Sequence, residues 1–456
     1  MSHPPPVFDL VLDGYGQMLV TIFTQISLCY PFHDASQAPV VIQTLQRGLE
    51  RLADSFPWLA GQVVCGGAAE GVTGVFKIKP FDRTPRLAVK DLRSESAMPS
   101  LEDLRAAGYP MNRLDEDLVA PRRTSSGRPG ETTAEVFQMQ ASIINGGLIL
   151  TFLGQHQCMD GVGQGQVMHL LSKACRGEAF TENELRSGNR DPVDTIPLLN
   201  ETGWTPGPEL RYNTVEPPPD CDVRQPMPTG AWCHFSFPNE SLLALKQVAS
   251  QGLPATTPFI STDDALSVFL WQSTMRARLP RLPVDSSALF ARSVDIRKHV
   301  GISARYPGFA QCMTYHDKFS ARQLVESPLG TVAADLRAAI VPETSMLAYD
   351  ARSLATLVNY TPDKSTVSLL GGGFDMTRDV MLNSWTNQDA YHLDFGLGLG
   401  RPEAVRRPRF DAFQGLVYLM PKRPDGEVGV AVCLSEADMD RLKGDCEFMR
   451  FAKLVG

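Results

Sequence analysis

The chain has 456 residues, 43 basic and 51 acidic, so its formal charge is −8, and 43% of its residues are hydrophobic. This composition allows large buried cores and excludes disordered, collagen-like and mini-protein classes. The acidic balance argues against a protein that coats nucleic acid or an anionic membrane, because those partners need clustered lysine and arginine.

The nine cysteines are odd in number and form no Cys-x-x-Cys pair, which disfavours a disulfide framework and a zinc cluster and indicates reduced thiols. The first basic residue is Arg47, so the N-terminus lacks the positive segment of a secretory signal. No apolar stretch reaches membrane length. We therefore expect a cytoplasmic protein with no membrane or nucleic-acid partner.

Hydrophobic periodicity predicts helices and a hairpin in the first part of the chain. In chain order these are a helix from Leu45 that Pro57 ends, strands at 136–144 and 148–154, and a helix after Gly165. The two strands flank Asn145-Gly146-Gly147, which is a strong signal for a β-hairpin.

Residues 191–228 contain nine prolines and few periodic apolar residues, which is typical of an extended connector. We therefore divide the chain into a first half (1–190), a proline-rich connector (191–230) and a second half (231–456).

In the second half the predicted strands and helices do not alternate regularly. Its elements are a strand at 232–237, a helix capped near Asn239, a helix capped by Thr262 with Asp263 and Asp264 in its first turn, strands at 415–420 and 428–434, and a helix at 435–451. This order lacks strict β-α-β alternation, so we predict an α/β fold of mixed sheets with packed helices.

The most informative segment leaves the second hairpin strand at His156 and reaches an Asp160-Gly161 turn before the next helix. A histidine there can act as a general base, since its free nitrogen accepts a proton from a hydroxyl at neutral pH. Asp160 can brace the loop, and Gly161 allows a backbone angle that other residues resist. The alternative is a core histidine in an ordinary turn. Two ligands are too few for a catalytic zinc, so no metal is predicted.

A second segment contains Asn383-Ser384-Trp385 and then glycines at 396, 398 and 400. Their spacing does not match a dinucleotide fingerprint, because Arg401 occupies the third glycine position. The chain also lacks a Walker motif, a Gly-x-Ser-x-Gly elbow and a His-Glu-x-x-His pair. Nucleotide hydrolysis and α/β-hydrolase chemistry therefore lose their best sequence evidence.

The two segments together resemble the signatures of the BAHD acyltransferases, coenzyme-A-dependent enzymes of the chloramphenicol-acetyltransferase-like superfamily. These signatures are His156-x-x-x-Asp160-Gly161 and Asp394-Phe395-Gly396-Leu397-Gly398. The Pro57-x-x-x-Gly61 turn and Asp295-Ile296-Arg297 also resemble the family. Leu397 stands where plant members have tryptophan, so the pattern is more similar to fungal trichothecene acetyltransferases.

The resemblance implies two chloramphenicol-acetyltransferase-like domains with a tunnel at their interface, no permanently bound cofactor, and a monomer. Acyl-CoA and a small hydroxylated acceptor would enter from opposite mouths, and His156 would be the base for direct attack on the thioester. Asp160 would be structural and paired with Arg297. Asn383 would donate to the oxyanion. The Asp394 loop, with Phe395, Gly396 and Gly398, would shape the CoA side.

The basic residues of the chain give candidates for the phosphates of CoA, since arginine suits phosphate groups. The candidates for the CoA side are Ser384, Trp385, Arg401, Arg406, Arg407 and Arg409. Arg276 and Arg278 are further candidates, although cations at a helix end also offset the helix dipole. For all of these arginines the alternative is a solvated loop or helix end. Cys158 is interpreted as a tunnel or core residue rather than a nucleophile.

We therefore predict an acyl-CoA-dependent O-acyltransferase, acetylating a hydroxyl of a terpenoid, alkaloid or polyketide-type secondary metabolite. One alternative is N-acylation or use of a carrier-protein thioester, as in condensation domains, although Gln155 stands where those domains usually carry a second histidine. The other is a non-catalytic binding relative that keeps the fold.

Overall fold

The computed structural model describes residues 8–18, 21–125, 133–199, 203–215, 229–371 and 373–456. Its strands are β1 (Leu10–Val11), β2 (Phe23–Pro31), β3 (Gly61–Gly66), β4 (Val75–Pro80), β5 (Arg86–Asp91), β6 (Phe137–Ile144), β7 (Gly147–Gln155), β8 (Ala231–Phe237), β9 (Phe290–Asp295), β10 (Gln311–His316), β11 (Val380–Ser384), β12 (Ala404–Arg406), β13 (Leu416–Leu419), β14 (Val428–Leu434) and β15 (Lys453–Leu454).

The α-helices lie between and after these strands. They are α1 (Ala38–Ser55), α2 (Leu101–Ala106), α3 (Glu116–Val119), α4 (Gly161–Arg176), α5 (Glu182–Gly188), α6 (Asn239–Gln251), α7 (Thr262–Arg278), α8 (Ala321–Glu326), α9 (Leu329–Ala338), α10 (Leu347–Tyr360), α11 (Glu436–Lys443) and α12 (Cys446–Phe451). None of the helices in the described residues is both long enough and apolar enough to cross a membrane.

The first half is built on a five-stranded sheet in the order β12-β2-β7-β6-β5. The predicted hairpin is confirmed as β6 and β7, which pair in antiparallel register around Gly146 at φ 74°. Every residue of both strands is buried, because other elements cover the two faces of the sheet. The ladder thus holds the end of β7, where His156 follows, inside the protein.

The second half is built on a seven-stranded sheet in the order β10-β9-β11-β13-β14-β8-β15, with parallel and antiparallel neighbours. One face, which includes Leu382 and Val417, packs on the helices of its own half. The other face, which includes Tyr418 and Met420, packs in the core cluster of the first half. The predicted α/β fold of mixed sheets with packed helices is confirmed, and this second face forms the contact between the halves.

The two halves are also joined through their backbones. Strand β12 belongs to the second half in sequence but extends the first-half sheet by pairing with β2. Within the connector, Ile196 and Leu210 are buried in a cluster with α10. Residues 200–202 and 216–228 of the connector, which include Pro217-Pro218-Pro219, lie outside the described residues.

Helix α1 begins at Ala38, before the predicted start at Leu45. Two further helices begin elsewhere than the periodicity predicts. Helix α4 starts directly after Asp160 rather than after Gly165, because the Asp160 side chain accepts from a first-turn amide. Helix α7 is capped by Ser261, not by Thr262, and Ser261 and Asp264 form a reciprocal capping box. In both cases the capping side chain determines the first turn.

The single C-terminal helix predicted at 435–451 is wrong. The structure has two helices, α11 and α12, because the side chain of Asp445 accepts from the amides of Glu447 and Phe448 and starts a new helix there. Periodicity continues through this break and therefore does not reveal it.

Candidate active site at the contact between the halves

His156 lies in a tight turn between β7 and α4. Its backbone amide donates to Ile22 O at 2.9 Å, and the side chain of Gln155 accepts from the amide of Gln157 at 2.6 Å. Gln157 in turn donates to the carbonyls of Gly16 and Met18. Gln155 therefore braces the turn that carries the histidine.

The His156 ring has a defined proton arrangement. Its Nδ1 lies 3.0 Å from Met159 O, and a carbonyl oxygen only accepts, so Nδ1 of the neutral ring carries the hydrogen and Nε2 keeps its lone pair. Burial lowers the pKa of His156 below its ordinary value of 6.5, and the positive charge of Arg407 lowers it further. Asp160 and the Met159 carbonyl act in the opposite direction. The ring is thus a neutral base at physiological pH, with Nε2 free to accept a proton.

The Asp160 carboxylate does not point in the same direction as the His156 ring. Its hydrogen bonds are all structural. Arg297 Nη1 and Nη2 donate to its two carboxylate oxygens at 3.0 Å each. The amides of Gly163 and Ala310 donate to the same carboxylate at 2.7 Å. The Asp160 and Arg297 side chains are each 1% exposed. This buried ion pair joins the His156 turn to the second half of the chain.

The Arg297 guanidinium also donates hydrogen bonds to neighbouring groups. It donates to the carbonyls of Tyr306 and Gly308 and to Asp295. Burial lowers the pKa of Arg297, but the negative charges of Asp160 and Asp295 outweigh this and raise it above the ordinary arginine value. Arg297 therefore organises residues 306–310, whose Phe309 ring lies 5.4 Å from the ring of His156.

Gly161 has a different role from the one that the sequence suggests. It is not among the glycines with positive φ, so the expected unusual backbone angle is wrong. A Cβ atom at Gly161 would lie 2.7 Å from Trp385 Nε1, which is too close. Gly161 is therefore needed because the second half approaches the His156 turn closely.

Asn383, Ser384 and Trp385 lie at the end of β11. Asn383 is in register with Tyr418 of β13, on the sheet face that packs against the first half, and is 8% exposed. Its amide makes no hydrogen bond to the described residues, so its donors are available. Ser384 instead donates to Asp263 Oδ2 at 2.5 Å. Of these three residues, Asn383 has the geometry of a free hydrogen-bond donor between the halves.

The Asp394-Phe395-Gly396-Leu397-Gly398 motif lies far from His156. Phe395 stacks on Phe152 at 5.4 Å between ring centroids, and Arg176 donates to Asp394 O. Gly396 and Gly398 have φ of 67° and 74°. Because Arg176 ends α4 and His156 precedes its start, the motif is separated from the base by a helix about 24 Å long.

The run of arginines predicted for CoA phosphates does not form one patch. Arg406 is buried and donates to the carbonyls of Tyr109, Gly108 and Val405. Arg407 is also buried, and Arg409 is paired with Asp115. Arg401 is exposed.

The alternative candidates at the end of α7 are engaged elsewhere. Arg276 pairs with Asp445 at 2.6 Å. Arg278 is fully buried and donates to the carbonyls of Met376, Arg378 and Asp379. Neither guanidinium is free for a phosphate.

Cys158 lines a cavity of about 170 Å³ together with Trp58 and Tyr306. Burial raises the pKa of its thiol well above the ordinary value. A neutral thiol is a poor nucleophile, which supports the interpretation of Cys158 as a core residue. Within the described residues no cluster of metal-binding side chains occurs.

Sequence reasoning did not place two residues where the structure has them, Phe309 and Arg407. Phe309 follows Tyr306-Pro307-Gly308 and reaches the ring through the fold of its loop. The basic neighbours of Arg407 suggested an exposed phosphate site or a solvated loop. However, Pro408 and the apolar pair Ala404-Val405 around it indicate a buried segment. That apolar flank is the signal that could have identified it.

The chain is similar to known proteins over almost its full length. The Trichothecene 3-O-acetyltransferase-like N-terminal domain model matches residues 22–175, and the Transferase family model matches residues 101–449. A trichothecene 3-O-acetyltransferase of Fusarium sporotrichioides is 46% identical over 454 residues, covering 98% of both chains. An O-acetyltransferase of Cryptosporiopsis sp. (strain 8999) is 44% identical, covering 98% of this chain and 99% of the relative. The crystal structure of the Fusarium protein complexed with coenzyme A and T-2 superposes with a TM-score of 0.93 at 45% identity, covering 98% of this chain and 100% of that chain.

Proposed function

The chain belongs to the Transferase family, the BAHD acyltransferases, and from this membership we propose that it transfers the acetyl group of acetyl-CoA to a hydroxyl of a small secondary metabolite. The observation that carries the proposal is the neutral His156 ring, whose Nδ1 is held by Met159 O and whose Nε2 is free. A group oriented in this way serves a proton transfer.

In the proposed reaction His156 Nε2 takes the proton of the acceptor hydroxyl while its oxygen attacks the thioester carbon. A tetrahedral intermediate forms, with its negative charge on the former carbonyl oxygen, and Asn383 donates to that oxygen. The carbon–sulfur bond then breaks, and the CoA thiolate takes the proton back from His156. Asp160 and Arg297 hold the turn that carries the base and do not touch the substrates.

The first test is transfer itself. The purified protein is mixed with acetyl-CoA and hydroxylated terpenoids and polyketides, and both free CoA thiol and acetylated product are measured. A trichothecene alcohol is the first acceptor to test, because a 46% identical relative is named as a trichothecene 3-O-acetyltransferase. The same acceptor with its hydroxyl methylated is the control. Absence of product with every alcohol would contradict the proposal.

The two alternative functions are tested in the same assay. An amine analogue of an active alcohol tests N-acylation, and an acetylated carrier protein tests the other donor. Gln155 supports CoA over a carrier, since its side chain braces the turn and supplies no second imidazole. A protein that binds CoA without any transfer would be a non-catalytic relative.

We expect Asn383→Ala to lower kcat by about 10²- to 10³-fold, because one oxyanion donor is lost. The KM for acetyl-CoA should change little, since the donor acts on charge that exists only in the transition state. Steady-state kinetics with both substrates varied measures the two effects. An equal rise in KM with unchanged kcat would show that Asn383 binds the ground state instead.

The rate should stay constant from neutral pH to below pH 6.5 and fall only at more acidic pH. The base must be neutral to act, and the pKa of His156 is lowered by burial and by Arg407, so protonation sets in below 6.5. The measurement is kcat/KM against pH, with enzyme returned to neutral pH as a control for denaturation. An inflection above 6.5 would contradict the assignment.

We also propose that the enzyme is a cytoplasmic monomer of two halves joined by the connector at 191–230. Acetyl-CoA is an intracellular co-substrate, and the cysteines of the described residues are all free, as in reducing compartments. The remaining CoA-side assignments, Ser384, Trp385 and Arg401 together with the Asp394 loop, are likewise proposals. Soaking with CoA and a structure of the complex would test them.

A further inference from the structure

Arg407 is a buried cation without an ion-pair partner among the described residues. It follows β12, the strand that the second half adds to the first-half sheet, and is 2% exposed. Its Nη2 donates to Thr124 Oγ1 at 3.3 Å, whereas Nε and Nη1 have no hydrogen-bond partner there. An arginine in such a place keeps its proton at neutral pH although burial lowers its pKa.

The carboxylate that acts electrostatically on Arg407 is that of Glu116. However, Glu116 Oε2 already accepts hydrogen bonds from other groups. It accepts from Gln25 Nε2 at 2.9 Å and from the amide of Thr124 at 2.7 Å. Burial raises the pKa of Glu116 above its ordinary value, and its hydrogen bonds and Arg407 act in the opposite direction. Glu116 therefore acts on Arg407 through space and does not form an ion-pair contact with it.

Three aromatic rings surround the guanidinium. Its Cζ atom lies 4.1 Å from the ring centroid of Phe410, 4.8 Å from that of Tyr418 and 5.9 Å from that of Trp385. Cation–π contacts offset part of the cost of burying this charge. They also fix the guanidinium in place without cancelling its charge.

Two of these rings connect Arg407 to the elements that carry Asn383 and His156. Tyr418 is in register with Asn383 on the sheet face between the halves. Trp385 Nε1 lies 2.7 Å from the place where a Cβ atom of Gly161 would be. Gly161 directly follows Asp160 of the His156 turn. Of the charged groups in the described residues, Asp160 and Arg407 act on the His156 ring, and Asp160 is held by Arg297.

Resting on the acetyltransferase function above, we propose that Arg407 is the buried positive charge that stabilises the negative charge of the transition state. It acts through its electric field and is a positioning residue, because its free nitrogens lie against the aromatic rings. The negative charge it stabilises resides first on the thioester oxygen and then on the leaving thiolate. The protein thus tolerates the free-energy cost of burying this charge because the charge serves catalysis.

The test compares Arg407→Met, which removes the charge and keeps an unbranched side chain, with Arg407→Lys, which keeps the charge. We expect Arg407→Met to lower kcat about tenfold and to shift the acid inflection of kcat/KM upward. Arg407→Lys should keep the wild-type inflection. Arg93→Met, at an exposed arginine paired with Asp91, is the control for loss of any positive charge.

A second measurement does not depend on turnover. NMR of ¹³C-labelled histidine rings, with His156 assigned through its alanine variant, gives the titration midpoint directly. We expect the midpoint to rise in Arg407→Met by about half a pH unit or more. An unchanged midpoint and kcat would overturn the proposal, and so would an effect confined to the acceptor KM or to melting temperature. Inactive wild-type enzyme with an upward midpoint shift would instead overturn the acetyltransferase function.

Discussion

We expect His156→Ala to lower kcat by about 10²- to 10⁴-fold, the usual contribution of a positioned general base. The fold should be unaffected, because within the described residues the one hydrogen bond of the ring joins it to Met159 O in its own turn. The two kinetic readouts are release of CoA thiol and formation of the acetylated product. Circular dichroism and melting temperature verify that the variant is folded.

The matched control is His392→Ala. His392 is exposed, lies beside the Asp394 motif, and bonds to Asp389 at 2.5 Å. It should retain wild-type activity, since no feature of its surroundings resembles the His156 turn. If His156→Ala stays fully active, the mechanism proposed above is wrong, whatever the control shows.

The second large effect concerns stability. We expect Asp160→Asn to lower the free energy of unfolding by about 3 to 5 kcal/mol, because the Arg297 charge, 1% exposed, loses the carboxylate that faces it. Denaturant titration and thermal unfolding measure the loss. Activity should fall as well, since the Asp160 carboxylate holds the helix start directly after the His156 turn.

Two comparisons separate the ion pair from general damage. Asp295→Asn removes the other carboxylate of Arg297, which is 41% exposed, and should cost no more than about 1 kcal/mol. Replacing Asp160 and Arg297 together by apolar residues should cost less than the sum of the single changes. Equal losses in Asp160→Asn and Asp295→Asn would show that the buried pair is not special.

The elements with strong local signals were predicted well. The hairpin of β6 and β7 follows from its Asn-Gly turn and its apolar strands, and α1 ends at Ser55, just before Pro57, as the sequence indicates. Errors occurred at α4, α7 and the C-terminal helices, where a capping side chain competes with hydrophobic periodicity. Caps involve one hydrogen bond at a defined position, which periodicity does not register.

The candidate site likewise contains residues that were predicted correctly and residues that were not. The pair of Asp160 and Arg297 was expected from the family resemblance, and the structure places the two side chains together. The arginine run shows the opposite result, because four neighbours in sequence have four different environments. Burial of Arg406 and Arg407 depends on β12 entering the sheet of the other half, a pairing between residues more than 370 positions apart in the chain.

By itself the sequence determined the fold class, the enzyme family and the histidine that we propose as base, because these depend on short motifs and local hydrophobic patterns. Only the tertiary structure decided which nitrogen of His156 is free, why Gly161 must be a glycine, and that Arg407 is buried among aromatic rings. The first depends on the folded geometry of the His156 turn, and the other two depend on contacts between the two halves. Such contacts join residues hundreds of positions apart, and no local pattern encodes their distances.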